Sequence, residues 1–412
     1  MTDGPAAPSD GKNSLQRTVI LGLVFVGLGV GVGVFAAGGQ PQGPDPKDAA
    51  RGHYLLGGEK FREGDLPAAE AELLQSVSLN PGDDRGWHLL GDTRLAQARY
   101  ADAATAYEKA VELDPRKDGS WLNLARARKL AGSTQEASAA IEKARALRPK
   151  DPVVAEEAGD IALLAGDFPR AALCFQEAAG ETTAGQRAVL LTKLADVNRA
   201  AGDRAAAATA LWDAATAEPT GTRWNETATL LVQDGQLDRA AQAYAQQALV
   251  VPDGSPWELV GEIRAAQGKL AEAREAFGKA NSHGDRVGAC IGLARLALGQ
   301  GDRAAAEGAG DRALVAFGEE EPATVAADLA TLLLDLGKPA PAAQLLGTVV
   351  SELDDPLVYE QQARALAALE KQPEAKAACA LAQKRTEELA KAGKPVQLRL
   401  CPAIGEPAKP QP

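Results

Sequence analysis

Residues 84–115 read DRGWHLLGDTRLAQARYADAATAYEKAVELDP, and this stretch decides the fold. Its apolar positions recur three and four apart in two runs of roughly a dozen residues, the spacing of two amphipathic helices. Between them lies a tight break at Ala98, and five residues later comes Ala103. Tyr107 follows four further on, and Pro115 closes the run. A proline cannot continue a helix, so it resets the chain for whatever comes next.

The next stretch, DGSWLNLARARKLAGSTQEASAAIEKARALRP (118–149), repeats the layout, and the repetition extends both ways. A turn residue recurs at Gly64, Ala98, Gly132, Gly166, Gly202, Gly235, Gly268, Gly301, Gly337 and Glu370. Five residues after each stands an alanine: Ala69, Ala103, Ala137, Ala171, Ala207, Ala240, Ala273, Ala306, Ala342 and Ala375. A period of 33–36 residues kept ten times predicts ten helix-turn-helix units. The alanine is expected where the two helices of a unit cross, and the turn residue where a left-handed or tight backbone joins them. One unit cannot bury its apolar stripe alone, so neighbours must stack. Units four and eight depart most: TTAG at 182–185 replaces the closing proline and Gly310 the usual bulky residue, so local loosening is expected there.

Trp87, Leu90, Gly91, Tyr100, Ala103, Tyr107, Ala110 and Pro115 stand where the tetratricopeptide repeat (TPR) family has its signature residues. The chain closely resembles that family over residues 50–390. The resemblance implies an all-α TPR solenoid, a right-handed superhelix of about ten repeats, that binds proteins or peptides along the concave face made by first helices. In this register that face carries Arg85, His88, Asp92, Leu122, Arg126, Lys129, Glu156, Asp160, Glu258 and Glu262. A basic patch in units two and three, with Arg126 and Lys129 free to meet a peptide carboxylate, would be followed by an acidic stretch. Asn123 is expected on the packing side, which makes the carboxylate-clamp mode of the family doubtful.

Composition agrees with helix-on-helix packing. Only 17 of 412 residues are aromatic, and strand-type runs are nearly absent after residue 40. The net charge of -12 argues against a nucleic-acid partner. Ahead of the repeats, a polar leader (1–18) precedes Val19–Ala37, nineteen residues without a charge, and a Pro/Gly linker (38–49) follows. At 1.5 Å per residue such a helix is about 28 Å long and spans a bilayer once. A cleaved signal peptide ending near Val34-Phe35-Ala36 is the alternative reading. Arg17 abuts the apolar run while Lys47 lies ten residues beyond it, which favours an inner-membrane anchor with the C-terminal domain exported to the periplasm. Gly27, Gly29, Gly31 and Gly33 offer small-residue faces for self-association in lipid.

No catalytic motif emerges, and His53, His88 and His283 are too scattered to share a metal, so neither an enzyme nor a cofactor or metal site is expected. Cys174 and Cys290 read as small buried residues of the repeats. Cys379 lies on the last helix and Cys401 in the Pro-rich tail (391–412). In an oxidising compartment, with VQLRL at 396–400 folded back on the last unit, the pair would form a disulfide; two unrelated thiols are the other reading.

Overall fold

The computed structural model describes residues 45–180, 182–318, 321–399 and 401. The apolar stretch Val19–Ala37, its four glycines and the end of the tail lie outside them. Among the described residues no helix is long and apolar enough to cross a membrane.

Ten helix pairs follow one another. Units one to five comprise α1 (Pro46–Glu63) and α2 (Leu66–Leu79), α3 (Asp84–Ala96) and α4 (Tyr100–Leu113), α5 (Asp118–Leu130) and α6 (Thr134–Leu147), α7 (Pro152–Leu164) and α8 (Phe168–Gly180), α9 (Ala184–Ala200) and α10 (Arg204–Ala217). Units six to ten comprise α11 (Gly221–Gln233) and α12 (Leu237–Val250), α13 (Ser255–Ala266) and α14 (Leu270–Ala280), α15 (Val287–Gly299) and α16 (Arg303–Ala316), α17 (Ala323–Asp335) and α18 (Pro339–Leu353), α19 (Pro356–Ala368) and α20 (Gln372–Lys391). No strand occurs among the described residues, and the fold is an all-helical TPR-like solenoid. The linker expected over 38–49 is shorter at its C-terminal end. The Asp45 side chain accepts from the Lys47 N–H at 3.0 Å and Pro46 occupies the first helical position, so the helix already starts there.

The turn rule holds at all ten positions: eight glycines, Ala98 (φ 59°) and Glu370 (φ 62°) are all left-handed. The ten alanines are all at 0% exposure. A third rule accompanies them: seven residues before each turn the first helix carries only Gly or Ala, and at Gly57, Gly91, Gly159 and Gly261 this position receives the bulky side chain of its own second helix. A Cβ built on Gly91 would lie 2.6 Å from the Tyr107 ring, one on Gly159 2.7 Å from Phe175, and one on Gly261 2.5 Å from Phe277. The side chain fills the volume that the glycine leaves open, so the pair packs at crystal-like density. Trp87 and Trp121 close the unit boundaries, each donating its indole N–H to the carbonyl of the preceding unit's closing proline, Pro81 at 3.0 Å and Pro115 at 2.9 Å.

The two departing units are rearranged in different ways. At the seam of units four and five α8 packs closely on α9, and the direct approach of first helices seen for α1/α3, α3/α5, α5/α7, α13/α15, α15/α17 and α17/α19 is reduced between α7 and α9, as it also is for α9/α11 and α11/α13. At the seam of units eight and nine the reverse holds. There α15 and α17 meet, α16 touches α17 less, and Leu336 of α17's C-terminal end moves into the space over Gly310.

Candidate partner-binding face

Position along the first helices decides which side chains meet across a seam. A residue six before one turn faces the residue nine before the next. Four seams use this geometry for a polar contact: Asn123 donates to Asp92 at 3.1 Å, Arg126 meets Glu157 at 3.0 Å, Lys193 meets Asp160 at 3.0 Å, and Arg295 meets Asp328 at 2.8 Å.

Through units two to five this ladder removes the free charge expected there. Lys129 Nζ lies 2.5 Å from the second oxygen of the nearly buried Glu157, so Arg126 and Lys129 share one carboxylate rather than awaiting a peptide. Lys129 retains only 18% side-chain exposure, and the basic patch read from the sequence is an internal ion cluster. Lys193, absent from that reading, spans Glu156 at 2.8 Å and Asp160. Burial opposes its charge, yet the two carboxylates raise its pKa. Asn123 lies on the groove side, since its amide reaches Asp92, which also accepts from the buried Tyr107 hydroxyl at 2.6 Å. Burial, and then Asp92, push the Tyr107 hydroxyl far above its ordinary pKa. His88 accepts from or donates to Ser120 at 2.8 Å, and burial lowers its pKa against the pull of Asp92. Arg85 folds back on Asp83, which caps its own helix, and stacks on Tyr54; Leu122 is half-buried against the core of units three and four.

The C-terminal half differs. Glu258 is held by Arg286 at 3.0 Å, but Glu262, six before its turn, faces Gly292 and has no hydrogen-bond or ion-pair partner among the described residues. Glu258, Glu262, Ile291, Gly292, Val325 and Asp328 line a depression of about 380 Å³ over Phe277. Asp328 also lines a second depression of about 400 Å³ between α17 and α19, with Leu346, Leu357 and Val358. The two share Asp328 and follow one another as a trough along the first helices of units seven to ten. Its floor is apolar, and its rim carries the carboxylates Glu258, Glu262 and Asp328 together with the cation Arg295. Sequence alone offered Glu258 and Glu262 but neither the glycine that isolates Glu262 nor the apolar floor.

No cluster of three or more His, Cys, Asp or Glu that could hold a metal occurs among the described residues. Cys174 and Cys290 are buried thiols whose pKa burial raises. Cys379 and Cys401 are joined in a disulfide, their Cα atoms 5.2 Å apart. The tail returns across the last pair: Leu398 packs with Ala363, Cys379, Ala382 and Cys401, and the nearly buried Glu360 carboxylate accepts the backbone N–H of Arg399 at 2.7 Å and of Cys401 at 3.0 Å.

The tetratricopeptide repeat family matches residues 94–156. No curated protein matches the chain. Among solved structures, MamA (residues 41 to end) from Desulfovibrio magneticus RS-1 is similar at 16% identity over 42% of this chain and 96% of that one, TM-score 0.39. The C-terminal part of a TPR repeat-containing protein from Cytophaga hutchinsonii is similar at 13% identity over 67% and 99%, TM-score 0.41. A chain of the APC/C hetero-tetramer Cut9-Hcn1 is similar at 12% identity over 88% and 98%, TM-score 0.39. At these identities no site residue is carried over.

Proposed function

We propose that this TPR-type solenoid is a non-catalytic scaffold that holds protein partners at a bacterial cell envelope, tethered through Val19–Ala37 with its repeats on the exported side. The trough over units seven to ten carries the binding half of this reading. It is open along its length, as an extended chain requires, and combines an apolar floor with a rim on which carboxylates outnumber the one cation, Arg295. The disulfide-clipped tail supports the exported orientation, because such bonds persist in oxidising compartments. An assembly factor for an envelope machine and a holdase for exported chains both fit; a cytosol-facing receptor and a non-catalytic subunit of an envelope enzyme complex are the competing readings.

Two measurements test it. An alkaline phosphatase fused to the C-terminal end is expected to be active, and a fluorophore that folds only in the cytosol to stay dark; the reverse pattern sinks the exported orientation. Crosslinking in the membrane followed by mass spectrometry is expected to recover protein partners through the first helices, and crosslinks confined to the convex side would end the binding half.

A further inference from the structure

In four seams the groove residue six before a turn finds a polar or charged partner nine before the next turn. At Glu262 that place belongs to Gly292, and glycine offers no side chain. The substitution cannot be filled from within. A Cβ at Gly292 would lie 2.4 Å from the Phe277 ring, whose outer edge (Cζ, Cε1 and Cε2) occupies the space beside α15. One turn earlier, Gly288 leaves the space in which the Glu258 carboxylate sits, held there by Arg286. Over these two turns α15 therefore has a bare groove face. Beside it Glu262 stands as a carboxylate without a countercharge, although its nearest cation, Arg295, is engaged by Asp328. Burial between the trough walls, then Glu258 and Asp328, push the Glu262 carboxyl up, even though its tip reaches solvent. A cation arriving from outside would complete the same contact that Lys193 makes with Asp160 three seams earlier.

We infer that the trough over units seven to nine binds an extended segment of a partner protein that sets a lysine or arginine against Glu262 and lays an adjacent apolar side chain on the floor of Ile291 and Val325. This rests on the reading of the first-helix face as a partner surface and names the partner's chemistry. The occupant is specified by charge and by shape. The carboxylates Glu258, Glu262 and Asp328 outnumber the one lining cation, Arg295, the floor is apolar, and a second depression at Leu357 and Val358 adjoins at Asp328, so the face suits a chain and not a lone ion.

The probe is a fluorescein-labelled nonapeptide of alternating leucine and lysine, titrated against the full-length chain, with the leucine–glutamate peptide as its counterpart. The lysine peptide is expected to bind and the glutamate peptide to bind at least about tenfold more weakly. Glu262→Gln should weaken the lysine peptide about tenfold, and Glu262→Lys should weaken it further while improving the glutamate peptide. Glu112→Gln removes one exposed carboxylate on α4 and should change nothing. Equal loss in Glu112→Gln and Glu262→Gln would show attraction to overall acidity alone and overturn the inference. So would an unaltered affinity in Glu262→Lys, or no binding of the lysine peptide. Glu262→Lys protein that still recovers its partners in the membrane would leave the scaffold role standing while removing this trough from it.

Discussion

At the level of single residues, the molecule works by matching a missing side chain to a large one. Gly91 receives Tyr107, Gly159 receives Phe175, and Gly261 receives Phe277, whereas Ala125 faces the smaller Ile141. Gly91→Ala should therefore cost about 1–3 kcal/mol by overpacking. Tyr107→Leu alone should cost a comparable amount through the cavity left behind. Together they should cost clearly less than the two separately, a coupling read from urea midpoints in a double-mutant cycle. Strict additivity would mean that the ring and the glycine do not share this space. Glu262 shows the opposite case, a residue whose isolation is costly to the free protein. Its folded pKa is raised, so its charge opposes folding above that value and stops doing so as the pH falls towards about 4, where both states are protonated. Glu262→Gln is expected to raise the melting temperature at pH 7.5, with the gain vanishing at pH 4. The same substitution weakens the lysine peptide, and a variant less stable at pH 7.5 would contradict the origin of the shift.

Element by element, the sequence announced most of the architecture. Turn residues and the alanines five beyond them are local signals, each set by one backbone angle or one helix crossing, and they need no knowledge of neighbouring units. The small residue seven before each turn was equally regular, but its meaning depends on which side chain it receives. The charged face was misread for a related reason. From sequence, Arg126 and Lys129 are read one unit at a time, while their pairing with Glu157 is a property of the seam between units. Two turns remain imperfect, because Ala98 and Glu370 hold a left-handed backbone that an L side chain resists. Replacing either by glycine should stabilise by about 0.5–1 kcal/mol in thermal melts. The last element is finished by the tail, whose disulfide closes a separation of 22 residues. Reduction, or Cys379→Ser with Cys401→Ser, should cost about 3 kcal/mol in the chain-entropy picture. Because the clip touches only unit ten, hydrogen exchange should speed up in α19 and α20 and stay unchanged in α1–α8. Uniform loss of protection would mean that the end is not an independent cap.

Across the whole molecule, stability is a sum of unit terms and nearest-neighbour seams, so a weak seam sets where the chain comes apart. The seam between units four and five is where the share of that coupling carried by the first helices can be tested. There α8 meets α9 closely, while direct contact between first helices is reduced for α7/α9 as it is for α9/α11 and α11/α13. The polar link across that opening is Lys193, which reaches both Glu156 and Asp160 and lies 5.4 Å from the centre of the Phe175 ring. Lys193→Met keeps much of the apolar stem yet leaves two carboxylates facing each other without their cation. The group is about a third exposed, so the expected cost is modest, about 1 kcal/mol. Its distribution is the sharper signature. A lost seam term uncouples units one to four from units five to ten, and urea unfolding followed by hydrogen exchange should resolve two transitions where the parent shows a closer one. Lys109→Met breaks an exposed pair with Glu112 inside a single helix, at 2.8 Å, and should leave the coupling intact. If Lys193→Met shifts both halves together by the same amount, the first-helix ladder carries no special share of the coupling at this seam, and the close contact of α8 with α9 holds the two halves without it.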